Sequence, residues 1–166
     1  MLKKNNFMKQ KADLTTVEQQ LAWSFAEIIE GEDANCVRKD FLGAYIHRND
    51  YNKNTDFGWC VEYILDQDFL NEHSTTHANI FCRANVRVLF IKNHLQNINN
   101  PIGEFYDYYE YDDNYKCNRF QEIRQQSNIT QEGIDELKQT YGLSDEVISM
   151  RISNHNFYEP TIEHNI

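Results

Sequence analysis

The sequence is short of the residues that mark several whole classes of protein. Proline and glycine number 2 and 6 in 166 residues, which excludes collagen-like and low-complexity chains. No apolar run approaches the roughly 20 residues of a membrane span, and the opening MLKKNNFMKQKADL lacks the apolar stretch of a signal peptide. A cytoplasmic protein without a membrane role is therefore expected. The four cysteines, Cys36, Cys60, Cys82 and Cys117, form no CxxC pair, so neither a structural zinc nor a disulfide framework is expected, and four reduced thiols are the reading. At this length a chain buries roughly 70% of its unfolded surface, enough for a core without staples.

Positive charge is also scarce, and unevenly so. Residues 1–35 carry 4 basic and 6 acidic side chains, 36–100 carry 7 and 7, and 101–166 carry 5 and 13, for a formal net charge of -10. Attraction to nucleic acid comes from Lys and Arg neutralising phosphates, so a DNA-binding role starts without the usual electrostatic footprint.

What is present reads as α+β. Lys3, Lys4, Lys9 and Lys11 form a charged leading tail. Thr15 with Glu18 makes a capping box, and Val17, Leu21, Phe25 and Ile28 follow at helical spacing up to Gly31. This pattern predicts an amphipathic helix buried along that stripe, with Trp23 on its flank in the core. β-Prone runs follow at Ala44–Ile46, Trp59–Leu65 and Asn85–Ile91. Between the last two lies a long polar loop, 66–84, whose His73 and His77 suit a metal only if that stretch is helical; solvated loop histidines are the expectation.

Residues 104–113, EFYDYYEYDD, hold five acids and no base. They read either as an edge strand whose tyrosines cover the core while the carboxylates stay wet, or as a contact surface for a protein partner. Gly142 separates two further helices, the second capped by Ser144. Asp145 and Glu146 in its first turn would repel phosphates, so the pair reads as a packing hairpin, not a DNA-reading helix-turn-helix.

The runs Gly43-Ala44-Tyr45-Ile46, Phe57-Gly58-Trp59-Cys60-Val61-Glu62-Tyr63-Ile64 and Asn85-Val86-Arg87-Val88-Leu89, continuing to His94, resemble the HNH endonuclease family over roughly 60 of the 166 residues. The resemblance implies a ββα-metal motif, a hairpin followed by a short helix. Three segments follow from it: 1–35 as tail and helix, 36–100 as the HNH-like core, and 101–166 as an acidic helical extension packed on the same domain.

Residue by residue, the resemblance places Glu62 at the family's metal-ligand Asp, Tyr63 at its general-base His, Asn85 at the orienting Asn and His94 at the second metal ligand. It therefore implies Mg2+ or another divalent cation, held weakly by Glu62 and His94. The departures concern chemistry. A longer side chain at 62 displaces the carboxylate, and a phenol with a pKa near 10 is a poor base at neutral pH. Asn97 and Leu42 stand where the family commonly has Lys and Cys, and the 63–85 connection is long. The sequence thus points to a degenerate HNH-like protein, with little or no nuclease activity, that acts through protein contacts, with 104–113 as the candidate surface. The alternatives are a metal-dependent endonuclease with an atypical site, which alone would bring DNA in as a partner, and an acidic DNA mimic.

Overall fold

Thr15 caps the first helix of the chain. In the computed structural model, which describes residues 11–103, 105–127 and 129–152, the Thr15 side chain accepts from the Glu18 N–H while the Glu18 carboxylate accepts from the Thr15 N–H. The helix, α1 (Thr16–Phe25), is shorter than its apolar pattern predicts, and it buries a different face. Val17, Leu21 and Ile28 are 64, 48 and 60% exposed, whereas Ala22 and Trp23 are buried.

Backbone pairing explains the early stop. Glu27 exchanges both backbone hydrogen bonds with Lys39, and Arg38 donates to the carbonyls of Ser24, Ala26 and Ala34. These bonds hold the chain extended from Ala26 onward. The helix then turns so that Trp23 is buried against Trp59, ring centroids 5.3 Å apart, an aromatic contact that adds to the area buried.

Strands β1 (Val37–Lys39) and β2 (Tyr45–His47) pair antiparallel. Next, β3 (Trp59–Tyr63) pairs antiparallel with β4 (Val86–Phe90), and helix α3 (Ile91–Gln96) starts at the residue after β4. The connection between these strands is not the wholly irregular loop its polarity suggests. Asp66 accepts from the Phe69 N–H and starts α2 (Gln67–His73), which buries Phe69 and Leu70. His73 ends that helix against Phe69, and His77 lies beyond it, edge-on to Tyr141, so the two histidines do not share a helical face.

The segment 101–166 is not the helical extension expected: its first half is a long hairpin, β5 (Phe105–Asp112) with β6 (Cys117–Ser127), and helices follow only after it. Its tyrosines cover apolar surface: Tyr108 is buried with Leu42 and Leu89, Tyr109 packs edge-on to Phe90, and Tyr111 stacks on Tyr45 at 3.8 Å. Glu104, Lys3, Lys4 and Lys9 lie outside the described residues. The C-terminal pair, α4 (Gln131–Tyr141) and α5 (Asp145–Ile148), joins at Gly142 and is capped by Thr130 and Ser144. Gly142 has φ +65°, and a Cβ there would lie 1.9 Å from the Thr75 hydroxyl, so the link needs glycine.

Beside the small Leu42–Leu89–Tyr108 group, two larger apolar clusters form among the described residues. One gathers Trp23, Trp59, Ile46, Val61, Val88 and Phe90; the other joins Leu65, Phe69 and Leu70 to Ile134, Leu137, Tyr141 and Ile148. No helix among the described residues is long and apolar enough to cross a membrane.

One buried carboxylate ties several of these parts together. Asp40 Oδ1 accepts from the N–H groups of Leu42 and Ala44, each at 2.8 Å, and Oδ2 accepts from the Phe90 N–H at 2.9 Å and Asn93 Nδ2 at 3.0 Å. Asn93 in turn exchanges two hydrogen bonds with the Tyr109 backbone. The turn between β1 and β2, the start of α3 and the middle of β5 are therefore joined through the hydrogen-bonded pair Asp40 and Asn93.

Burial pushes the Asp40 carboxyl up to about 6, against the pull of its four hydrogen bonds. A native value above the unfolded one, about 3.9, means the native state binds more protons between the two. Stability from this group is thus full below pH ~4 and declines as pH rises through ~6. Asp40→Asn should remove that slope in urea-melt midpoints across pH 4–7. It should also cost about 1–3 kcal/mol at neutral pH, because the amide would face two donors.

Candidate functional site

The β3–β4 register sets Glu62 opposite Arg87. The turn into β3 is held by Gly58, whose carbonyl accepts the Ile91 N–H at 2.9 Å. A Cβ on Gly58 would stand 1.7 Å from the Lys53 carbonyl oxygen, so only glycine lets this backbone approach so closely. The bond to Ile91 starts α3 against the hairpin and brings His94, one turn along, over Glu62.

Glu62, Arg87 and His94 are 0, 4 and 2% exposed. Arg87 donates to Glu62 Oε2 from Nη2 at 2.9 Å and from Nε at 3.3 Å, and His94 Nδ1 lies 2.7 Å from Glu62 Oε1. Both carboxylate oxygens are thereby engaged within a nearly dry space. An ion pair so buried is held by Coulomb attraction that water would otherwise screen, and the imidazole adds a hydrogen bond at the second oxygen.

The structure therefore brings together two of the four residues that the resemblance singles out, Glu62 and His94, through a direct hydrogen bond. Asn85 and Tyr63 lie elsewhere in role. Asn85 is fully buried and works on the backbone: its Oδ1 accepts the Leu65 N–H at 2.7 Å, and its Nδ2 donates to the carbonyls of Leu65 and Ile80 at 3.0 and 3.1 Å. It closes the neck of the long β3–β4 connection. Tyr63 follows Glu62 in a pleated strand, so its side chain leaves from the opposite face. There it packs half-buried beside the cluster of Trp23 and Val61. Burial, with a smaller contribution from the Glu18 charge, holds its phenol above the ordinary value, which moves it further from acting as a base.

The lone pairs that a divalent cation would use at this site are engaged within the protein. Such an ion would need lone pairs from Glu62 and His94; the His94 nitrogen facing Glu62 is spent on the carboxylate, and the guanidinium on Oε2 would repel a second cation. Among the described residues no group of three or more His, Cys, Asp or Glu side chains could hold a metal. All four cysteines are free, and burial, then the Glu62 charge, pushes the Cys60 thiol far above its ordinary range.

Arg87 is the site residue that sequence reasoning missed. Its signal is a lone cation inside the apolar run Val86–Phe90, at the position that pairs with the acid of β3 once register is known. Comparison with protein-family models, with curated proteins and with solved structures finds no match to this chain.

Breaking the ion pair from one side leaves a buried charge, so Arg87→Met should cost about 3–5 kcal/mol in equilibrium urea denaturation. Adding Glu62→Met to that variant should recover most of the loss. A single-variant cost below about 1 kcal/mol would show that the pair is not buried in solution.

Proposed function

We propose that this chain is a non-cleaving relative of the HNH endonucleases that acts through protein contacts. The observation that carries this reading is the Glu62 carboxylate. It stands at the position the resemblance assigns to a metal ligand, and both its oxygens are taken by Arg87 and His94. An arginine supplies the positive charge there permanently, and a guanidinium can neither activate water nor exchange for substrate.

Three further features support the same reading. The hairpin β3–β4 with α3 directly after it follows the order of a ββα motif. The residues at the base and orienting positions serve packing and backbone closure. The net charge of -10 disfavours approach to phosphates.

Plasmid nicking with Mg2+ or Mn2+ is the test. The wild-type protein should not nick. Tyr63→His should not restore nicking either, although a functioning general base contributes about 100 to 10,000-fold, because the new imidazole leaves the strand on the face away from Glu62. Metal-dependent nicking by wild-type protein that His94→Ala abolishes would overturn the proposal in favour of an atypical endonuclease.

A further inference from the structure

Helix α1 has two uncharged faces, and the fold buries one of them. Ala22 and Trp23 face the core, while Val17, Gln20, Leu21 and Ser24 are exposed. These four stand at i, i+3, i+4 and i+7, the spacing of a helix-packing face. The solvent side of a surface helix ordinarily carries charge, and this one carries none. The helix has a single charged residue, Glu18, which accepts the Thr15 N–H at 3.0 Å. No described residue closes over Val17 and Leu21.

The path of the chain leads to this face. The Ala12 N–H donates to the Val61 carbonyl at 2.7 Å and Lys11 pairs with Glu62, so the backbone follows the outer edge of β3 before Thr15 starts the helix. The Glu18 charge acts on the Tyr63 phenol, which puts the first turn of α1 beside the end of β3 toward which the chain before Lys11 leads. Residues 1–10 reach up to roughly 33 Å when extended, against about 15 Å for the ten residues of α1, so they are long enough to run back along the whole helix.

The composition of that segment matches the face and its flanks. Residues 1–12 hold four lysines and no acid, whereas 13–35 hold six acids and no base. Asp13 precedes the helix and Glu30 and Glu32 follow it, all three exposed. Leu2, Phe7 and Met8 are apolar, as the uncovered Val17 and Leu21 are.

We infer that residues 1–10 are the occupant of the uncharged face of α1. Leu2, Phe7 and Met8 cover Val17 and Leu21, and Lys3, Lys4 and Lys9 meet the acids at the two ends of the helix. Tethering favours this occupant over any free one: a segment joined to its site through Lys11 is present there at millimolar effective concentration. The segment is thus a strap, and a protein that reads this face of α1 must displace it first.

The test uses the full chain. NOEs should connect Leu2, Phe7 or Met8 to the methyl groups of Val17 or Leu21, and in a mixture of labelled and unlabelled chains they should stay within one molecule. Trypsin, followed by mass spectrometry, should cut after Lys4 and Lys9 about tenfold more slowly than in Val17→Ser with Leu21→Ser. Both side chains are exposed, and unchanged far-UV circular dichroism checks that this variant keeps the fold. Lys3→Gln with Lys4→Gln and Lys9→Gln should weaken the NOEs about two- to threefold at low salt.

Absence of these NOEs in the wild-type protein would overturn the inference, as would equally fast cutting in wild-type and variant chains. NOEs that arise only between labelled and unlabelled chains would overturn it in favour of a second copy. Lysine replacement without effect would overturn the charge match that assigns the occupant. None of these results depends on whether the chain cleaves DNA.

Discussion

The Glu62 carboxylate is an ionised group placed where almost no water reaches, and that constraint shapes its surroundings. A charge so buried must be paired and hydrogen-bonded on both oxygens or it destabilises the fold. Arg87 meets one oxygen across the hairpin and His94 meets the other from the following helix. Strand register, the approach of α3 and the glycine at 58 are all conditions for that geometry. On the proposed reading, the same contacts that make the carboxylate tolerable also occupy it, since a ligand or catalytic group must keep a lone pair for something that arrives.

A second buried acid does comparable work with neutral donors. Asp40 gathers two N–H groups of its own turn, one from the start of α3 and the amide of Asn93, which passes the connection on to β5. Glu62 therefore fixes α3 to the inner hairpin while Asp40 and Asn93 fix it to the outer one. The helix is only six residues long, too short to be stable alone, and it is held by these polar contacts together with Ile91. The polar residues of this region are consumed in building it.

Local signals in the sequence were sufficient wherever structure is set locally. The Thr15–Glu18 capping box and the Gly142 junction with its Ser144 cap stand where their chemistry predicts, and the β-prone runs at 44–46, 59–65 and 85–91 overlap the strands 45–47, 59–63 and 86–90. The stripe Val17, Leu21, Ile28 misled because helical spacing cannot say that Glu27 will pair with Lys39, a long-range bond that ends the helix and rotates Trp23 inward. The α2 turn was hidden because Gln67–His73 carries only two core residues, Phe69 and Leu70, among polar ones. At the site, Glu62 and His94 were legible as a pair through the family resemblance. Arg87 and Asp40 were not, because a buried charge looks like a surface charge until its partner's register is known.

The central claim is that a guanidinium, not a metal ion, is the cation of the Glu62 site. Paramagnetic broadening measures this directly: Mn2+ titrated into isotope-labelled protein broadens nuclei near any bound ion. The account predicts that the His94 ring and Glu62 side-chain resonances stay sharp at Mn2+ concentrations that already broaden exposed carboxylates such as Asp113. Selective early broadening at His94 and Glu62 would contradict it.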